Sequence, residues 1–156
     1  MQYWQPDTLP GIGADPRGMM VVLCFGGRGL PGDAIALELG GSLNLPGVTF
    51  VPCSSPEDIV DYLDEDVYVM DVAKGVSEVT LITDPSRVLP PPRVTAHDLD
   101  PAFFLRLVEQ LYGVKVPVIA LPMGVDMDVV KEQLLKLIAT LRAGNARRRR
   151  SRDRTP

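Results

Sequence analysis

Seven apolar residues in a row, Met19 to Phe25 (MMVVLCF), stand between Gly18 and Gly26. A strand with one wet face alternates apolar and polar side chains. An unbroken apolar run between glycines instead predicts a strand buried on both faces, as in a parallel sheet with helices packed above and below it. That requirement removes most all-β and all-α solutions before the rest of the chain is read.

The segments on either side fit the requirement. Residues 1–18, with Pro6, Pro10, Gly11, Gly13, Pro16 and Gly18, show no sustained period and read as an irregular arm. Gly26-Gly27-Arg28-Gly29-Leu30-Pro31-Gly32-Asp33 leads into a helix from Asp33 to Leu43, with Asp33 as its N-cap or first-turn acid. Val48 to Val51 forms a second strand, and Ser55 then caps a helix through Leu63, with Pro56 at its first position and Glu57 and Asp58 at its positive end. Val67 to Met70 is a third buried strand, ended by Asp71.

Ser77 to Thr83 is strand-like again, but it follows Asp71 too closely for a parallel crossover, so it is expected antiparallel and at an edge. Pro85, Pro90, Pro91 and Pro92 make residues 84–96 a loop, which delivers His97. A helix from Asp100-Pro101 through Tyr112 carries Phe103, Phe104, Leu107, Val108 and Leu111 on one face. Lys115 to Leu121 is a strand, and Asp128 to Leu141 a helix that turns Val129, Val130, Leu134, Leu137, Ile138 and Leu141 toward the sheet. The alternation predicts a three-layer α/β sandwich over residues 19–143, with a mostly parallel five-stranded twisted sheet, one antiparallel edge strand and helices on both faces.

Charge is distributed unevenly. Residues 1–141 hold nine basic against 19 acidic side chains, whereas seven of the 16 basic residues lie between Arg142 and Pro156. An acidic body argues against a nucleic-acid-binding face on the folded domain. The Arg147–Arg150 run reads as part of a solvated, disordered basic tail over 144–156. No apolar run is long enough to span a membrane, and the N-terminal residues lack a basic-then-apolar signal, so a cytoplasmic protein is expected. Cys24 and Cys53 match no disulfide framework or zinc spacing and read as two buried thiols.

Doubly wound folds collect ligands at the carboxyl ends of their strands. Asp33 follows the first strand through its glycine-rich loop, Asp71 ends the third, and His97, the only histidine, precedes a helix on a loop that can reach the same rim. Two carboxylates and an imidazole suit a divalent transition metal such as nickel, zinc or iron. Each has an ordinary alternative: helix capping for Asp33, the turn amides of Ala73, Lys74 and Gly75 for Asp71, a surface or boundary position for His97. A phosphate loop fits poorly, because no Gly-Lys-Ser/Thr follows the glycines and Asp33 puts negative charge where a phosphate would sit.

Four stretches, Gly26–Ile35, Ser55-Pro56-Glu57-Asp58, Val69-Met70-Asp71 and Thr95-Ala96-His97-Asp98, resemble in order and spacing the hydrogenase maturation endopeptidases, over roughly residues 19–141. That family removes a C-terminal extension from the large subunit of nickel-iron hydrogenase. The resemblance implies a nickel-reading site of Asp33, Asp71 and His97, with Asp33 and Asp71 as the catalytic carboxylates. It also implies substrate contacts at Gly26, Gly27, Cys53 and Ser54. The nickel would arrive with the large-subunit precursor rather than reside in the enzyme, and no organic cofactor is implied.

The chain departs from the family pattern at three places. Gly27 stands where the family has Asn, and Gly32 where a second acid usually neighbours Asp33. The acidic-Gly-Gly-Ser/Thr turn reads Val51-Pro52-Cys53-Ser54, and the Pro-Gly that often follows Asp71 is missing. The missing turn carboxylate is what would separate a protease from the alternative, a non-proteolytic metal-binding or assembly factor of the same fold. A third alternative is an α/β domain that binds a small anion at the glycine loop.

Overall fold

The computed structural model describes residues 19–26, 34–73, 75–84 and 101–152, and of these the backbone alone for 101–104 and 146–152. Five strands, β1 (Met20–Phe25), β2 (Val48–Cys53), β3 (Asp66–Val72), β4 (Thr80–Ile82) and β5 (Val118–Leu121), form one sheet in the order β2-β1-β3-β5-β4. The pairs β1–β2, β1–β3 and β3–β5 are parallel, and β4 runs antiparallel along β5 at the edge. The expected architecture is therefore the observed one, including the edge strand. All six residues of β1 are buried, as an apolar run lying between two parallel neighbours requires.

Two apolar layers flank the sheet. On one side Met20, Val22, Cys24, Val48, Phe50, Tyr68, Met70, Ile119 and Leu121 meet the helices α1 (Ile35–Ser42) and α3 (Met127–Arg152). On the other, Val21, Leu23, Phe25, Cys53, Val67 and Val69 meet the 3-10 helix Pro56–Tyr62 and α2 (Pro101–Tyr112). The chain passes from β1 outward to β2 and then back across β1 to β3. The connections therefore change sides between β1 and β3, which is where open α/β sheets form a crevice.

Several local expectations are corrected. The N-cap of α1 is Ala34, whose carbonyl accepts the first helical bond from Glu38 N–H at 2.9 Å; Asp33 lies outside the described residues. The helix expected after Ser55 is a seven-residue 3-10 segment with an Asp58 N–H to Ser55 carbonyl bond of 3.1 Å. Ser55 occupies its cap position, but its hydroxyl donates to the Glu57 carboxylate rather than accepting from a backbone amide. Strand β5 begins at Val118, because Pro117 has no N–H for the ladder; its carbonyl still accepts from Val69 N–H at 3.0 Å.

Among the described side chains of α2, Leu105 and Val108 are buried, while Leu111 is 74% exposed in the last turn before Gly113. Gly113, at φ 68°, ends the helix in the left-handed conformation with its N–H on the Glu109 carbonyl, 2.9 Å. On α3 the buried stripe is Val130, Leu134 and Ile138, with Leu137 and Leu141 packed beside it, and Val129 faces out.

The largest departure concerns the end of the chain. Helix α3 does not stop near residue 143 but keeps helical backbone through Arg152, so the arginine run expected to be disordered is helical. Arg is a good helix former, and cations near a helix C-terminus are favoured by the helix dipole. The stem of this extension is pinned at the amino edge of the sheet. Arg142, 5% exposed, donates from Nη1 to the Gly47 carbonyl at 2.7 Å, and Asn145 Nδ2 donates to Asp66 Oδ2 at 2.7 Å.

Candidate functional site

The ladder registers align one row of residues near the carboxyl edge. Cys53 pairs with Phe25, Asp71 with Ala120 and Ala120 with Thr80, while Asp71 sits one step past the Cys24–Met70 pair and so beside Phe25. Side chains alternate along β3. Tyr68 and Met70 enter the α1/α3 layer and Val67 and Val69 the α2 layer, so Asp71 belongs to the α2 face with Phe25 and Cys53. Asp71 thus stands at the crevice between β1 and β3, next to the small side chain of Ala120.

Asp71 is half-buried, and its Oδ1 accepts the N–H of Val72 at 2.8 Å. The amide of Ala73, one of the turn donors considered for it, is instead bonded to the Leu121 carbonyl at 3.0 Å. Its own strand end thus supplies one of the carboxylate's hydrogen bonds.

The direction of α2 follows from one lysine. Lys115 Nζ lies 3.5 Å from Glu109 Oε1 and 3.9 Å from Asp84 Oδ2. Asp84 follows the end of β4, whose last residue, Ile82, pairs with the first residue of β5, at the amino edge of the parallel strands. The C-terminal half of α2 is thus at the amino edge, and its N-terminus faces the carboxyl edge that holds Asp71.

The two thiols are chemically quiet. Both are buried, each donating to a carbonyl two residues back, Cys24 to Val22 and Cys53 to Val51, at 3.7 Å. Burial pushes the Cys53 thiol up from 9.0 to about 12, with the nearby Asp58 charge adding to it. Burial raises Cys24 as well, with a further contribution from Cys53. A thiol held in its protonated form is a poor nucleophile, so Cys53 does not supply a cysteine-protease centre. Tyr62 is also raised, first by burial and then by Cys53, Asp61 and Asp58.

Of the residues singled out in the sequence, the structure brings Asp71, Gly26 and Cys53 to this edge, followed by the exposed Ser54. Asp33, Gly27 and His97 lie outside the described residues. Among the described residues no group of three or more His, Cys, Asp or Glu side chains could hold a metal ion, so these contribute Asp71 alone to the expected donor set. Among them, too, no helix is long and apolar enough to cross a membrane. Thr80 and Ala120 were missed in the sequence, because only the strand order, with β5 inserted between β3 and β4, puts them beside Asp71.

The fold and edge define a doubly wound α/β domain with an acidic strand end at its crevice. No family model and no curated protein matches the chain. Among solved structures it is similar to a [NiFe] hydrogenase maturation protease, HycI from Thermococcus kodakarensis KOD1, at 18% identity and a TM-score of 0.48, over 80% of this chain and 90% of that one. At that level of overlap the assignment of the site stands on the chain's own residues.

Proposed function

We propose that the chain is a maturation endopeptidase that removes the C-terminal extension of a nickel-iron hydrogenase large-subunit precursor. The observation that carries this reading is the placement of Asp71: a carboxylate at the end of a buried strand, on the α2 face of the crevice, accepting the Val72 amide. The four motifs in register supply the rest of the reading.

Asp33, Asp71 and His97 would contact nickel carried by the precursor and so set the scissile bond at the rim. Hydrolysis then requires a general base within hydrogen-bond reach of the attacking water. Asp33 and Asp71 are the candidate bases: water adds to the carbonyl carbon, its proton passes to a carboxylate, and that proton leaves with the departing amine. Gly26, Gly27, Cys53 and Ser54 would line the peptide. With Cys53 buried, its contribution would come through the backbone at the end of β2.

Co-expression of the precursor with the parent chain or with His97→Ala tests this. The parent should shorten the precursor and the variant should leave it intact. Equal cleavage by both would remove the nickel-reading role from His97.

One observation favours a second reading, a non-proteolytic metal-binding or assembly factor. At the end of β2, Val51 stands where the family's turn has its acidic residue, and its carbonyl is taken by the Cys53 thiol. Calorimetric binding of nickel or of the loaded precursor without any shortening would select that reading.

A further inference from the structure

Arg106 is the sixth residue of α2, on the face of the sheet that carries Asp71. Its Nε and Nη2 are shielded from solvent and meet no hydrogen-bond acceptor among the described residues. Lys115, the other described cation of this layer, is engaged by Glu109 and Asp84. A guanidinium edge withdrawn from water with both N–H groups unmet is costly unless something accepts from it.

The two idle atoms are the informative ones. Nε and Nη2 form the side of the guanidinium whose parallel N–H bonds match the two oxygens of one carboxylate. Arg106 shares a helix flank with Glu109, three residues on, and Lys115 ties that flank toward the end of β4. Helical side chains lean toward the helix N-terminus, which for α2 is the carboxyl edge. Arg106 therefore leans, on the Asp71 face of the sheet, toward the carboxyl edge, where Cys53, Phe25, Asp71, Ala120 and Thr80 form one row.

We propose that Arg106 is a substrate-binding residue that takes one carboxylate of the bound peptide side-on through Nε and Nη2. The proposal rests on the endopeptidase reading only in that a peptide enters at the carboxyl edge. One fork meets one carboxylate. A phosphate, with its higher charge, is disfavoured by a body of 19 acidic against nine basic residues in 1–141. The carboxylate is either the C-terminus of the peptide or an acidic side chain within it, and the chemistry at Arg106 is the same.

The test needs neither nickel nor precursor. The full chain, labelled with 15N-arginine, is titrated with sodium acetate, and with acetamide and sodium chloride at matched concentrations. The Arg106 Nε–H resonance, assigned by its loss in Arg106→Lys, should move downfield and saturate with acetate alone. Two blocked dipeptides distinguish the source: acetyl-Ala-Val with a free carboxylate, and acetyl-Ala-Glu amide. Whichever source is used should reproduce the acetate shift, while acetyl-Ala-Val amide should not.

Arg106→Lys and Arg106→Gln, each checked for native circular dichroism, should bind the active dipeptide roughly tenfold more weakly or worse. An unmoved resonance, an equal shift with chloride or acetamide, or unchanged dipeptide affinity in either folded variant would overturn the proposal. Loss of precursor cleavage would leave it standing, so its failure and that of the endopeptidase reading are separately visible.

Discussion

At the scale of single residues, the chemistry divides between a carboxylate placed at the crevice and thiols put away. Asp71 stands at a strand end and accepts the Val72 amide, a placement suited to meeting a ligand at the crevice. Cys53 is the reverse case. The unfolded chain releases this thiol proton near pH 9.0 and the folded chain only near pH 12, so between those values the native state binds more protons and stability falls as pH rises. Tyr62, raised for the same first reason, acts with the same sign. Urea unfolding at pH 8 and pH 10 should show a lower midpoint at the higher pH, and Cys53→Ala should reduce that difference. A thiol-disulfide reagent at pH 8 should label neither cysteine in the native chain and both in urea; fast native labelling of Cys53 would contradict its burial.

At the scale of elements, what was legible followed from periodicity and spacing. The run of residues 19–25 predicted a doubly buried strand, and the short spacing after Asp71 predicted an antiparallel edge strand; both are observed. Helix ends were less legible, since the order of residues does not show where packing stops. Leu111 and Val129 keep the apolar period yet face out, whereas Leu105 is inside. Arg142 is the instructive miss. It extends the stripe Val130, Leu134, Ile138 by one more step of four, a signal present in the sequence but not used, so that the expected boundary after residue 143 falls just beyond a buried residue. Arg142→Leu keeps the apolar volume but removes the donor to the Gly47 carbonyl, and should cost about 1–3 kcal/mol of unfolding free energy. Leu134→Ala, in the middle of the stripe, should cost about 2–5 kcal/mol. Chemical denaturation measures both, and a neutral Arg142→Leu would show that its bond holds nothing in place.

At the scale of the whole molecule, the sheet order converts sequence-distant residues into one edge. The candidate site was legible in part: Asp71 could be read as a strand end, but its neighbours Phe25, Ala120 and Thr80 follow only from the crossover across β1 and the insertion of β5 before β4. The opposite edge is tied by Arg142, Asn145 and Lys115, well away from the chemistry. Truncation after Asn145, which removes the arginine run but keeps its stem, should therefore leave both the cooperative unfolding transition and precursor processing in place. The most direct test of the central claim is mass spectrometry of a nickel-loaded large-subunit precursor incubated with the purified parent chain or with Asp71→Asn. The account predicts loss of the C-terminal extension with the parent, and at least about a hundredfold slower loss with the folded variant. An intact precursor with the parent chain, or equal rates for the two proteins, would contradict it.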